Sequence, residues 1–268
     1  MRFDFSSFRR ASAIALAGLL ALGAAACDDW FTDPDPGLDL DGLLFSAREI
    51  LPFEEDWGVG TPVTAISVRT VRRYGCAQLK GTLERAGSEI TVTIDGVEDF
   101  TAMCNRMGTA PAYFMGRTPL DEGEYTLRIR RGQNTDTHRL VVSADRIEVT
   151  EGSHLVARAE FKRFWRYPGP SLAIFCSTSV WRAKACARLR EKIVEKAGLV
   201  PVDFPSGDGI PFSELKPFGS DFEYTIHRYA GEEDLDAIQE ALKESIRDHP
   251  SVQPVIIDWR NRWVHPQP

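Results

Sequence analysis

Two short segments concentrate side chains that could meet a ligand. FKRFWRY, Phe161 to Tyr167, and DWRNRWV, Asp258 to Val264, each interleave aromatic rings with arginines. Flat aromatic faces suit sugar rings, and a guanidinium group stacks on them or pairs with carboxylates. On that reading Trp165, Arg166, Trp259, Arg260 and Trp263 form a ligand surface. The same pattern arises when the rings pack between domains and the guanidinium groups reach out to water. The acid–base inventory is thinner. There are five histidines, His138, His154, His227, His249 and His265, and none stands in H-E-x-x-H or beside a carboxylate at ligand spacing. No G-x-S-x-G, P-loop or G-x-G-x-x-G occurs. A hydrolase with its site between domains would have to draw on Asp203, Asp208, His227 and Asp258. No spacing calls for a metal or another cofactor.

Composition narrows the class of partner. Of the 268 residues 43% are hydrophobic and 26% charged, the balance of a folded globular chain. The formal net charge is −7, which repels nucleic acid and argues against it as a partner. Of the five cysteines, Cys27 stands apart near the N-terminus, leaving Cys76, Cys104, Cys176 and Cys186 as an even set. In an oxidising compartment such a set implies two disulfides, and four cysteines allow three connectivities. Pairing near neighbours, Cys76 with Cys104 and Cys176 with Cys186, staples one domain each. Independent free thiols are the alternative.

The N-terminus carries an address. Arg2, Arg9 and Arg10 precede an apolar run from Ala11 to Leu22, followed by small residues, Gly23 to Ala26. This is the layout of a secretory signal, with an apolar core shorter than the roughly 20 residues a spanning helix needs. Ala24–Ala25–Ala26–Cys27 resembles the lipobox of bacterial lipoproteins, departing from it at Ala24, where leucine is usual. The resemblance implies that residues 1–26 are removed and that Cys27 carries lipid. The chain would then be held at the inner or outer membrane of the envelope, facing periplasm or exterior. In enterobacterial lipoproteins an aspartate directly after the cysteine marks inner-membrane retention, and Asp28 occupies that place. Residues 27–45 then read as a spacer, stiffened by proline and solvated by aspartate. GLDLDG within it resembles part of an EF-hand loop, but Gly37 and Arg48 stand where the first aspartate and the bidentate glutamate belong.

The elements that would position the candidate residues fall into two regions, an α+β organisation. Over residues 46–167 the hydrophobic period is two. Ile90, Val92 and Ile94 share one face, as do Tyr125, Leu127 and Ile129. Asp95–Gly96 reads as a hairpin turn, Gly132–Gln133–Asn134 as another, and HLVARAEFKRFW as one longer strand. Short strands at short spacing predict an antiparallel β-sandwich, resembling in texture the immunoglobulin-like or fibronectin-like modules of envelope lipoproteins. After YPGP, residues 168–268 switch period. Trp181, Ala185, Leu189, Ile193 and Ala197 form a helical stripe closed by Gly198, and Leu235, Ile238, Leu242 and Ile246 a second one. The order β-α-β-β-α-β resembles the ferredoxin-like arrangement. The expected function is a non-enzymatic, membrane-tethered module that binds an envelope protein or glycan, with an envelope hydrolase as the alternative.

Overall fold

The computed structural model describes residues 42–51, 62–99, 107–116, 118–150, 152–177, 183–213, 222–248 and 254–264. The segment read as a signal, Cys27, most of the segment read as a spacer, Cys104, Trp181, His249 and His265 lie outside them. Strand predominates, and the two helices among the described residues both fall in the last hundred positions.

The first ten strands are β1 (Leu43–Ile50), β2 (Val63–Gly75), β3 (Ala77–Ala86), β4 (Glu89–Asp99), β5 (Met107–Met115), β6 (Gly123–Arg131), β7 (Asn134–Val142), β8 (Arg146–Thr150), β9 (Ala157–Ala159) and β10 (Arg163–Trp165). They make a four-stranded sheet in the order β5-β2-β1-β9 and a six-stranded sheet in the order β10-β8-β7-β6-β4-β3. Alternation gives each sheet one apolar face. Leu43, Phe45 and Ala47 of β1 and Ile66 and Val68 of β2 join Ile90, Val92, Ile94, Leu127, Ile129 and Leu140 in one buried cluster fed by both sheets. Each large aliphatic chain sealed there contributes about 1.5–3 kcal/mol.

Several expectations for this region change. Strand β1 starts at Leu43, inside the segment read as spacer, because the apolar alternation of LLFSAREI begins there. Asp95–Gly96 is not a turn. It lies within β4, where Lys80 pairs with Gly96 and Gly81 with Ile94, leaving Asp95 as the extra residue of a bulge. The chain reverses instead at Gly87, whose φ of +61° favours glycine. HLVARAEFKRFW is not one strand. It divides into β9 and β10, which belong to different sheets. Two pairings, β4 with β6 and β1 with β9, are parallel rather than antiparallel. Between β4 and β6 the chain passes through β5 in the opposite sheet, so it returns in the same direction.

The last third contains β11 (Ser171–Ser177), α1 (Ala183–Lys196), β12 (Val200–Val202), β13 (Phe222–Arg228), α2 (Glu232–Asp248), β14 (Val255–Asp258) and β15 (Trp263–Val264). Its sheet runs β12-β13-β11-β14-β15, and every neighbouring pair is antiparallel. Leu172, Ile174 and Ile256 face the helices and meet Leu189, Ile193, Ile238 and Leu242. The expected stripes are therefore the buried ones, and Gly198, at φ +63°, ends α1. The other face presents Ala173, Phe175, Ile226 and Ile257 to Leu51, Tyr167 and Phe212. Cys176 and Cys186 form a disulfide between the end of β11 and α1, Cα to Cα 5.6 Å. Cys76 is also disulfide-bonded; Cys104, its expected partner, lies outside the described residues.

Candidate functional site

The helix-free face of the third sheet meets the strand regions along a seam, and Gly209 stitches it. Its N–H donates to the Arg163 carbonyl at 2.9 Å and its carbonyl accepts the Trp165 N–H at 2.9 Å. The loop after β12 thus pairs, through a parallel bridge at Phe164, with the edge of the six-stranded sheet. A Cβ at position 209 would sit 2.1 Å from the buried Phe164 ring, so only glycine allows this approach.

Trp165 and Arg166 lie at this seam. The Trp165 indole N–H donates to Asp208 Oδ2 at 2.9 Å, and its ring tilts against Phe204, centroids 5.8 Å apart. Arg166 is committed to structure. It pairs with Glu49 at 2.8 Å and donates to the Ser143 carbonyl at 2.9 Å and the Leu120 carbonyl at 3.4 Å. The second aromatic–arginine segment lies elsewhere. Trp259 packs against both apolar clusters of the third sheet, with Gly169 under its ring. Arg260 stacks on Trp259 at 4.9 Å, and Trp263 stays 40% exposed on the edge strand β15.

Three of the four acid–base candidates, Asp203, Asp208 and His227, line one cleft, and Asp258 stands apart from it. Strand register puts His227, Leu172 and Asp258 in one row on the helix-covered face, with Leu172 between the other two. Two strand spacings, about 9.5 Å, separate them. Asp203 and Asp208 belong to the loop at the seam, and the cleft they line reaches β13 as far as His227, whose side chain is turned to Thr225. Asp258, fully buried, shapes the turn into β15. It accepts the N–H groups of Arg260 and Arg262 at 3.0 and 2.7 Å and the Arg262 Nε at 2.7 Å. Asp208 is held by Trp165 and, at 3.3 Å, by Arg163.

His227 is 5% exposed, and its Nε2 meets Thr225 Oγ1 at 2.9 Å. Its Nδ1 is buried with no hydrogen-bond partner among the described residues. Burial lowers its pKa below the usual 6.5, and the positive Arg190 on α1 reinforces this; Arg190 itself reaches Glu223 at 3.4 Å. A histidine whose folded pKa is depressed costs no stability above its unfolded pKa and loses stability as pH falls below it. Between pH 7.5 and 5.0 the native protein should lose more melting temperature than His227→Gln, in which this titration is absent. Parallel curves would show that His227 does not carry the effect.

Two clefts flank Phe204. One of about 390 Å³ is lined by Asp145, Trp165, Tyr167, Asp203, Phe204 and Arg228 among others. The other, about 370 Å³, shares Val202, Asp203 and Phe204 and extends along Asp208 and Tyr224 to His227. Both fall within the usual range of small-molecule pockets. Burial would raise the Asp145 pKa, but the Ser143 hydroxyl and Arg146 outweigh it and hold the carboxyl below its ordinary value. Phe204, Arg228 and Asp145 were not among the candidates read from sequence. The alternation of FEYTIHRY does carry the signal for one of them, because it places Arg228 on the face of Tyr224 and Ile226. Among the described residues no group of three or more metal-ligating side chains assembles, and no helix is long and apolar enough to cross a membrane. No family model, curated protein or solved structure matches the chain.

Proposed function

We propose that the chain is a lipid-anchored envelope protein whose folded part is a non-enzymatic binding module. In this reading an immunoglobulin- or fibronectin-like sandwich leads into a ferredoxin-like βαββαβ unit. The two-sheet apolar cluster and the third sheet's strand order, which is 2-3-1-4 when β11 to β14 are counted as first to fourth, support that architecture. The observation that carries the functional reading is the contrast at the seam. Asp258 is spent on a turn, Asp208 on Trp165 and Arg163, and His227 is buried against Thr225, while an aromatic-walled cleft stays open beside them. The anchoring half rests on the lipobox-like Ala24–Cys27.

Expression in a bacterial host tests the anchor. The native chain should sediment with membranes and gain the mass of a diacylglyceryl group at Cys27, whereas Cys27→Ser should not. Equal fractionation of the two forms overturns the anchor. Crosslinking and pull-down from the same envelope fractions reports the partner, and turnover of a captured molecule would overturn the non-enzymatic reading.

A further inference from the structure

The 390 Å³ cleft contains two kinds of polar group. Arg166 is consumed by Glu49 and two carbonyls, and Asp145 by Ser143 and Arg146. Arg228 and Asp203 are exposed, and neither makes a side-chain hydrogen bond or ion pair among the described residues. Arg228 ends β13 on the same face as Ile226, and Asp203 follows β12, the neighbouring strand. Between them and the strand region stand half-buried Trp165 and Phe204, tilted 55° to each other.

We infer that this cleft binds a saccharide chain carrying a carboxylate, and the inference rests on the binding-module reading above. The electron-rich faces of Trp165 and Phe204 attract the C–H faces of a pyranose ring. A guanidinium group offers a planar fork that a sugar carboxylate matches in two bonds. A carboxylate such as Asp203 accepts hydroxyl protons, which an acidic saccharide supplies in number. A neutral saccharide would leave Arg228 unused, and a purely apolar ligand would strand both charges.

Tryptophan fluorescence and calorimetry with tetragalacturonate, against neutral maltotetraose, test the site on the folded protein. The charged tetrasaccharide should bind more tightly than the neutral one. Arg228→Gln should weaken it about tenfold or more and leave the neutral one unchanged, the loss of one charged hydrogen-bonding pair. Arg228→Lys should recover part of that loss. Phe204→Ala should weaken both sugars. Trp263→Ala, on a distant edge, should change neither. The substituted side chains are exposed or half-buried, and unchanged melting temperatures verify the fold. Equal affinity for the two sugars, or no effect of Arg228→Gln, overturns the inference. Absence of saccharide binding alongside capture of an envelope protein overturns it too, yet leaves the binding-module reading in place. Cleavage of the tetrasaccharide would instead overturn the non-enzymatic reading while supporting the site.

Discussion

Arg166→Ala should lower the stability of the protein by about 3–5 kcal/mol, the cost of breaking a buried ion pair from one side. Glu49 and Arg166 lie 117 residues apart and meet at 2.8 Å, their side chains only 5% and 17% exposed. Glu49 follows Leu43, Phe45 and Ala47 on the inward face of β1, so its carboxylate closes one end of the core between the sheets. Its second oxygen accepts the Tyr167 N–H at 3.4 Å. Removing the guanidinium leaves that carboxylate buried without a counter-charge, with only the long Tyr167 N–H bond, and also strips donors from the Leu120 and Ser143 carbonyls. Urea unfolding should record the loss as a lower midpoint. The double variant Glu49→Leu with Arg166→Met discriminates between charge and bulk. It removes both charges and should recover most of the stability, because apolar replacement of a whole buried pair is close to neutral. Were the double variant as unstable as Arg166→Ala, packing rather than the stranded charge would be the cause. A ligand-surface role alone for Arg166 predicts no loss in either.

This pair shows which information a sequence withholds. Local periodicity identified the inward residues of β4 and β6, Ile90, Val92, Ile94, Leu127 and Ile129, because a buried face imposes alternation on its own strand. It identified Leu189, Ile193, Ile238 and Leu242 for the same reason in helices. Pairing between distant strands leaves no such mark. Nothing in ITVTI says that it lies parallel to YTLRIR, and nothing in Asp95–Gly96 distinguishes a turn from a bulge, since both want the same residue types. The candidate site was legible only in part for the same reason. Trp165 reads as an aromatic available for binding, but its neighbours Phe204 and Asp208 come from a loop some forty residues away. Asp258 reads as a spare carboxylate, and only the turn that follows shows its lone pairs taken.

Asp136 carries the other large expected effect. It is fully buried on β7, and its two oxygens accept four donors. These are the Ser153 hydroxyl at 2.7 Å and the N–H groups of Leu155, Val156 and Ala157 at 2.9, 2.6 and 2.8 Å. The three amides belong to the crossing from the six-stranded to the four-stranded sheet, where β9 then pairs with β1 and the Val156 carbonyl receives the Leu43 N–H. One carboxylate therefore does what a strand neighbour does elsewhere, satisfying backbone donors along the passage from one sheet to the first residue of the next. Asp136→Ala abandons all four. At about 1–3 kcal/mol for each buried group left without a partner, partly relieved by relaxation, the loss should reach about 4 kcal/mol or more. Asp136→Asn keeps one acceptor oxygen but turns an amide N–H₂ toward N–H donors, and should cost about half as much. Hydrogen exchange separates this mechanism from simple loss of packing. The amides of Leu155, Val156 and Ala157 should lose protection before those of β6 and β7. Burial would raise the Asp136 pKa, but the bonds from Ala157, Ser153, Val156 and Leu155 outweigh it and hold the value below the usual 3.8. A carboxyl depressed in the folded state stabilises fully above its unfolded pKa, and that contribution disappears as pH falls through the folded value. Native protein should therefore lose stability more steeply than Asp136→Ala as the pH drops below about 4, and the two unfolding curves should converge in acid. Curves that stay parallel through that range would mean that the carboxylate's charge contributes nothing and that only its shape holds the crossing.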